Sequence, residues 1–257
     1  PVPEHGALPA PDLRTSAIEL DAVSVAARGA WAPAGLSATI PPGSLVALTG
    51  PSGAGKTTTT QVLLGLLTAD RGRVRIVPGP GAASQEAVNL DPVTWWEQVT
   101  WVPQRPTIIP GTVLDNVLPD GSGKAAVPQA LVEAARATGF DEVVTRLPQG
   151  WRTMVGSGGV GLSVGQRQRL ALTRALCCTA TLVVMDEPTA HLDAASEAHV
   201  LDGVRALHAS GRTVVVIAHR AALIALAERT IAVASESLEE QEIPNVREPG
   251  MQEGRIK

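Results

Sequence analysis

The sequence contains no tyrosine and only one phenylalanine, so aromatic residues make up 2% of its 257 residues. Its only cysteines, Cys177 and Cys178, are adjacent, which argues against a cysteine metal site or a structural disulfide and fits a reducing compartment. No uninterrupted apolar run approaches the roughly 18 residues of a membrane-spanning helix. We therefore expect a domain held together by a hydrophobic core, with the two cysteines packed in a helix.

The charge pattern gives no sign that the chain binds a nucleic acid. The formal net charge is -4 and no long basic run occurs, which excludes the electrostatic footprint of a nucleic-acid binder but leaves a nucleotide partner open. With 44% hydrophobic residues, a chain of this length suits one large α/β domain.

Both ends of the chain differ in composition from the middle. Residues 1–16 are proline-rich and polar, which is typical of a linker, and they lack the charged and apolar regions of a secretory signal. Residues 236–257 are acidic and predict a flexible tail. We expect one folded domain over residues 17–235, in a piece excised from a longer protein.

Short apolar runs alternate with helix-like stretches across the expected domain. The runs "SLVALTG", "TLVVMDEP" and "TVVVIAH" are almost continuously apolar, as in strands that are buried on both faces of a parallel sheet. The stretches "AIELDAVSV", "GLSATI" and "RVRIV" predict further strands, and residues 112–146 predict a mostly helical segment. The pattern predicts an α/β fold.

The segment "GPSGAGKT" fits the phosphate-binding pattern G-x-x-x-x-G-K-[ST], and it follows a predicted buried strand and opens a helix. An ordinary glycine-rich turn is the alternative, which this context disfavours. We expect Lys56 to reach the β- and γ-phosphates and Thr57 to bind Mg²⁺. The predicted nucleotide-binding residues of this segment are Gly50, Pro51, Ser52, Gly53, Ala54, Gly55, Lys56, Thr57 and Thr58.

Two carboxylates end the apolar run "LVVMDE". Ligands of α/β sheets bind at the carboxyl ends of strands, so we expect Asp186 to hold Mg²⁺ through water and Glu187 to orient the attacking water. The alternative is that both residues are solvated strand caps. The phosphate loop upstream favours the catalytic interpretation.

The segment "LSVGQRQR" places Ser163, Gly165 and Gln166 at the start of a basic amphipathic helix, which is an anion site. It resembles the LSGGQ signature of ATP-binding-cassette (ABC) ATPases. The resemblance implies that two such domains pack head to tail, and that each signature closes over the ATP of the other domain. A simple helix cap with solvated arginines is the alternative.

The resemblance covers about residues 17–235. It implies that Gln104 in "WVPQRP" senses Mg²⁺, that residues 189–193 form an inter-subunit loop, and that His219 contacts the γ-phosphate. It also implies a RecA-like parallel-sheet core, an N-terminal antiparallel β subdomain and an α-helical subdomain. The implied cofactors are ATP and Mg²⁺, the latter held by Thr57, Gln104 and Asp186.

Two further stretches narrow the resemblance to exporters. "TMVGSGGVGLSVGQ" and "IIPGTVLDNV" are similar to exporter segments, and the whole set most resembles the CydD half of the CydDC family of heterodimeric bacterial cysteine and glutathione exporters, which serve cytochrome bd assembly. That resemblance implies a CydC-like partner cassette, a six-helix membrane domain absent from this chain, and a place at the cytoplasmic face of the bacterial inner membrane.

Several positions depart from the family pattern. Alignment places Ala27 where ABC domains have an aromatic residue that stacks on adenine, and Trp31 in the same loop is the candidate substitute. Val164 replaces a glycine of the signature. Ser157 replaces a glutamate that exporters have in the segment just before the signature. Val164 and the missing aromatic residue leave open a regulatory cassette with little hydrolysis. Because the cargo rests on the family resemblance alone, an exporter of a lipid, drug or peptide is a further alternative.

A chromosome-maintenance or DNA-repair ATPase is a rival interpretation of the same signature. Such proteins split the cassette with a long coiled coil. No heptad run of that length separates Gln104 from Leu162, which disfavours this rival.

Overall fold

The computed structural model describes residues 6–79, 82–119, 121, 126–156, 158–159 and 161–238. The strands are β1 (Ala17–Ser24), β2 (Ala26–Ala27), β3 (Ala30–Trp31), β4 (Leu36–Ile40), β5 (Leu45–Thr49), β6 (Arg71–Val77), β7 (Gln85–Glu86), β8 (Val99–Val102), β9 (Gly111–Thr112), β10 (Met154–Val155), β11 (Leu182–Met185), β12 (Thr213–Ile217), β13 (Arg229–Ala232) and β14 (Glu236–Ser237). The helices are α1 (Lys56–Leu63), α2 (Pro92–Trp96), α3 (Val113–Val117), α4 (Gln129–Ala137), α5 (Phe140–Arg146), α6 (Val164–Cys177), α7 (Ala194–Ala209) and α8 (Ala221–Ile224).

A five-stranded parallel sheet forms the centre of the molecule, in the order β13-β5-β12-β11-β8. Every residue of β11 and β12 is buried, because hydrophobic clusters cover both faces of the sheet. The apolar runs therefore form the fully buried strands that their sequence predicts. The predicted α/β fold is confirmed.

An antiparallel sheet lies beside this core, in the order β4-β1-β6-β7. β1 pairs with β4 on one side and with β6 on the other. Side chains of this sheet, among them Ile18, Leu20 and Ile76, share one hydrophobic cluster with the central strands. A smaller antiparallel sheet of β14, β3 and β2 adds a hairpin around Trp31.

The helices α3 to α6 form a third layer with its own core. Phe140, the single phenylalanine, is fully buried there and packs edge-on against Trp151, with ring centroids 6.0 Å apart. Leu131 of α4 and Leu170 of α6 belong to the same cluster. The predicted helical segment, residues 112–146, thus forms α3 to α5, and the start of α6 packs in the same layer.

Described structure lies on both sides of residues 17–235. Leu13, upstream of residue 17, is 1% exposed in the main core, and β14 lies past residue 235. Most of the predicted flexible tail, residues 239–257, lies outside the described residues. Within the described residues, no helix is both long enough and apolar enough to cross a membrane.

Candidate active site

Four neighbouring strands of the parallel sheet lead into the residues that the sequence singles out. β5 runs into the loop 50–55, β8 into Gln104, β11 into Asp186 and Glu187, and β12 into His219. Because these strands are parallel and adjacent, their carboxyl ends meet at one edge of the sheet. Residues far apart in sequence are thereby gathered into one site.

The loop between β5 and α1 is held against the β3 hairpin. Gly55 has a φ of 97°, and a Cβ added there would overlap the backbone of Ala32 and Pro33. Only glycine fits this position, because it alone combines the left-handed conformation with such a close approach. The loop is thus fixed next to the first helical residue, Lys56.

Lys56 is buried at the start of α1, and its Nζ donates hydrogen bonds to the carbonyl oxygens of Gly50 and Pro51 at 2.9 and 2.8 Å. The first turn of α1 contains no acidic residue. The ammonium group and the helix N-terminus therefore place positive potential at the loop, which suits a polyphosphate.

Thr57 and Asp186 meet across the site, since the Thr57 hydroxyl donates to Asp186 Oδ2 at 3.3 Å. Burial raises the pKa of Asp186 above its usual value, and the neighbouring Glu187 carboxylate raises it further, while the Thr57 hydrogen bond lowers it. A hydroxyl and a carboxylate are the oxygen donors that Mg²⁺ prefers, so this pair fits that cation.

The raised pKa of Asp186 has a consequence for stability. Since its ionised form is disfavoured in the fold, the group contributes stability below its unfolded pKa and loses that contribution as pH rises through its folded pKa. We expect Asp186→Asn to raise the melting temperature of the nucleotide-free chain by about 2 °C at pH 7. The gain should shrink as the pH is lowered toward the raised pKa. Thermal unfolding at pH 7 and pH 5 checks this, and a lower melting temperature at pH 7 would contradict it.

Glu187 lies between two other predicted residues. Gln104 Nε2 donates to its Oε2 at 2.9 Å, and His219 Nε2 lies 2.9 Å from its Oε1. Glu187 also has a φ of 43°, which is uncommon for a residue other than glycine and marks a backbone held by its surroundings. The structure thus brings Gln104 and His219 onto the same carboxylate, Gln104 through a hydrogen bond and His219 through a close nitrogen–oxygen contact.

The signature segment begins α6 in the helical layer. Ser163 caps the helix: its Oγ accepts from Gln166 N at 3.2 Å, and its own N–H donates to Gln166 Oε1 at 2.8 Å. The Ser163 hydroxyl hydrogen is still able to donate to an anion. Within the described residues, no hydrogen bond joins Ser163 or Gln166 to the phosphate loop.

Two other signature positions differ in their surroundings. A Cβ added to Gly165 would lie 2.6 Å from Ser196 Oγ of α7, so close helix packing requires glycine there. Val164 is 41% exposed at the first position of α6. Ser157, the other departure in this segment, lies outside the described residues.

The structure gives Trp31 a neighbour that the sequence did not predict. The Arg71 guanidinium lies 4.2 Å from the centre of the Trp31 ring, a cation–π contact that covers part of one face. Ala27 lies in the same hairpin, paired with Ala30. Stacking of adenine on Trp31 stays a prediction, in which the base would lie against an indole that already contacts a cation.

Arg220 supports the site, and sequence reasoning missed it. Its guanidinium forms an ion pair with Glu197 of α7 and donates to the carbonyl oxygen of Leu192 at 3.0 Å. It follows His219 directly, so it ties the end of β12 to the predicted inter-subunit loop 189–193. The only sequence signal was a basic residue next to the histidine.

A buried strand, a phosphate-binding loop opening a helix, and a carboxylate pair ending a neighbouring strand define the class of phosphate-loop ATPases. A family model described as "ABC transporter" matches residues 34–190, more than half of the chain. The chain belongs to the ABC transporter family and corresponds to its ATP-binding cassette.

Individual relatives agree with this family. The "Mycobactin import ATP-binding/permease protein IrtB" of Mycolicibacterium thermoresistibile is 40% identical over 199 residues, 77% of this chain and 33% of that protein. The "Cyclolysin secretion/processing ATP-binding protein CyaB" of Bordetella pertussis is 38% identical over 223 residues, 86% of this chain and 30% of that protein. The chain thus spans about a third of the length of these curated relatives.

A solved structure agrees with the fold. A bacterial Atm1-family ABC exporter with ATP bound has a TM-score of 0.74 and 30% sequence identity to the chain, covering 92% of this chain and 41% of that one. The likeness to an exporter's cassette supports the exporter type that the sequence indicated, at the level of the cassette itself.

Proposed function

We propose that this cassette hydrolyses ATP to power a bacterial ABC exporter, with Glu187 orienting and polarising the attacking water. The observation that carries the proposal is the position of the Glu187 carboxylate, which Gln104 and His219 hold at the sheet edge where the phosphate loop begins. A carboxylate fixed in this way is suited to accept a proton from water.

The phosphate loop supplies the affinity for ATP. Lys56 donates to two loop carbonyls, and these acceptors are exchanged for oxygens of the β- and γ-phosphates when ATP binds. The backbone N–H groups of the loop and the start of α1 add further donors. The charged groups of ATP, more than its base, then determine the binding energy.

We assign the Mg²⁺ site to Thr57, Gln104 and Asp186, the last acting through a water molecule. Bound Mg²⁺ supplies positive charge to the phosphate oxygens. Gln104 is able to serve two groups, because its Nε2 bonds Glu187 while its Oε1 is a separate acceptor. His219 in turn holds Glu187 and contacts the γ-phosphate.

The signature of the chain serves a second cassette in a head-to-tail dimer. The start of α6 offers the positive end of its helix dipole, an exposed Val164 and a Ser163 hydroxyl that is able to donate. An anion bound there belongs to the partner, since this chain already has its own phosphate loop. ATP then joins two cassettes, and hydrolysis releases them.

The finer assignment is a CydD-like cassette with a CydC-like partner and a six-helix membrane domain, at the cytoplasmic face of the bacterial inner membrane. Cysteine and glutathione would then be the cargo. The relatives named for mycobactin import and for cyclolysin secretion differ in cargo and direction, so export of another substrate is the alternative. Cargo is chosen by membrane helices, outside the cassette.

A regulatory cassette with little hydrolysis is the second candidate. The exposed Val164 adds bulk beside the partner's phosphate, and Ala27 offers no ring for adenine. Mg-ATP binding by calorimetry, followed by hydrolysis with and without a membrane-domain-bearing partner, separates the two functions. Binding with partner-dependent hydrolysis supports the proposal, and binding without hydrolysis in either setting favours the regulatory role.

The head-to-tail arrangement predicts that two substitutions in this chain affect two different ATP sites. Lys56→Ala removes the phosphate site of this chain, while Val164→Glu places a carboxylate at the exposed first position of α6, where it suits the helix but repels the partner's ATP. In the complex with the partner cassette, we expect Lys56→Ala to stop hydrolysis at this chain's site, Val164→Glu to stop it at the partner's site, and the double variant to stop both. A Val164→Glu variant that stopped hydrolysis at this chain's own site and spared the partner's would contradict the arrangement.

A further inference from the structure

The chain upstream of β1 forms a strap, residues 8–13, that is bound to the region before β8. Leu8 forms a bridge with Leu90, and Ala10 N donates to Thr94 Oγ1 at 3.0 Å. Leu13 is buried in the core that also contains Leu90. The strap is therefore bound to the fold at several points, with Leu13 buried at its end, although its composition predicted a linker.

Gln98 makes the central connection between this strap and the sheet. Its Oε1 accepts from Leu13 N at 2.9 Å, and its Nε2 donates to the carbonyl oxygen of Pro11 at 3.0 Å. Its backbone carbonyl accepts from the N–H groups of Thr181 and Leu182, both at 2.9 Å. One residue thus ties the strap to the start of β11 as well as to the start of β8.

β8 begins directly after Gln98 and carries Gln104 just past its far end. It is an edge strand whose only sheet neighbour among the described residues is β11. An edge strand is held by fewer ladder hydrogen bonds than a central one, so contacts at its ends contribute more to its position. The amide of Gln98 supplies such a contact, and Gln104 bonds Glu187 at the other end.

We propose that Gln98 is a positioning residue for Gln104. It clamps the strap onto the start of β8 and so fixes the strand that delivers Gln104 to Glu187. Catalytic distances tolerate little displacement, so a small shift of β8 lowers turnover. The proposal rests on the proposed function, because it concerns the same site.

Hydrogen exchange of the full chain tests the mechanical part without any need for hydrolysis. We expect Gln98→Ala to raise exchange at residues 99–102 and 104 about tenfold and to leave β12 unchanged. Gln129→Ala is the matched control, since that amide bonds Glu133 within α4. Faster exchange confined to the strap would overturn the proposal, because the clamp would then not reach β8.

A double-mutant cycle tests the catalytic part. We expect Gln98→Ala to lower kcat about fivefold with KM within about twofold, and to lower kcat no further in a Gln104→Ala background. An equal loss in both backgrounds would mean a merely structural role and overturn the proposal. If the wild-type chain binds Mg-ATP but hydrolyses none with its partner, the proposed function fails, and the exchange experiment still decides whether Gln98 positions Gln104.

Discussion

Glu187→Gln is expected to lower kcat at this chain's site by at least about a hundredfold while leaving Mg-ATP affinity nearly unchanged. Glutamine keeps the shape of the side chain and an acceptor for the Gln104 amide, but it is unable to take a proton from water. Because ATP would stay bound, we also expect cassettes to accumulate as ATP-bound dimers. Single-turnover hydrolysis and analytical ultracentrifugation with Mg-ATP measure both effects.

The control for this variant is Glu86→Gln. Glu86 forms an exposed ion pair with Arg73, 3.7 Å apart, so its loss is expected to change stability and hydrolysis little. Measurement in a complex whose other site is already disabled confines the readout to this chain. Undiminished hydrolysis there by the Glu187→Gln variant would refute the assigned role.

Lys56→Ala is expected to weaken Mg-ATP binding at least about a hundredfold, the second large effect. Hydrogen bonds from a charged donor each contribute about 1.5–3 kcal/mol, and two phosphate contacts correspond to two or more factors of ten in affinity. Lys56 is buried, and the loop contains no other cation that could take its role. Calorimetric titration with Mg-ATP gives the affinity directly.

Arg136→Ala, which removes an exposed cation on α4, is the control for charge alone. Thermal unfolding without nucleotide must accompany both variants, because Lys56 also bonds the carbonyls of Gly50 and Pro51. If the Lys56→Ala chain had a wild-type melting temperature and wild-type Mg-ATP affinity, the phosphate loop would not be the nucleotide site.

Much of the fold could be predicted from patterns that are local in the sequence. The runs that became β5, β11 and β12 are continuous in aliphatic residues, and burial on both faces of a parallel sheet is what such runs require. The binding of residues 8–13 to the fold was not predicted, because a short proline-rich segment has no periodicity. Leu13 is buried only because residues distant in the sequence of the same chain cover it.

The candidate site divides in the same way. Short sequence motifs predict the chemistry of four site residues, Lys56, Thr57, Asp186 and Glu187. Their mutual distances are not predicted by these motifs, and neither are the parts played by Arg220 and Gln98. Arg220 contacts Glu197, 23 residues away, and Gln98 contacts Leu13, 85 residues away. Because such contacts join residues that are far apart in the sequence, they produce no motif with a fixed spacing.

The sequence by itself determined the phosphate loop, the carboxylate pair, the signature helix and the buried strands, because each depends on residues adjacent in the chain or on a local period. Only the tertiary structure decided that Glu187 lies between Gln104 and His219, that Gly165 is required by its approach to α7, and that the strap is bound to the segment before β8. These features depend on how parallel strands and packed helices bring distant residues together, which is a property of the sheet order and not of any segment.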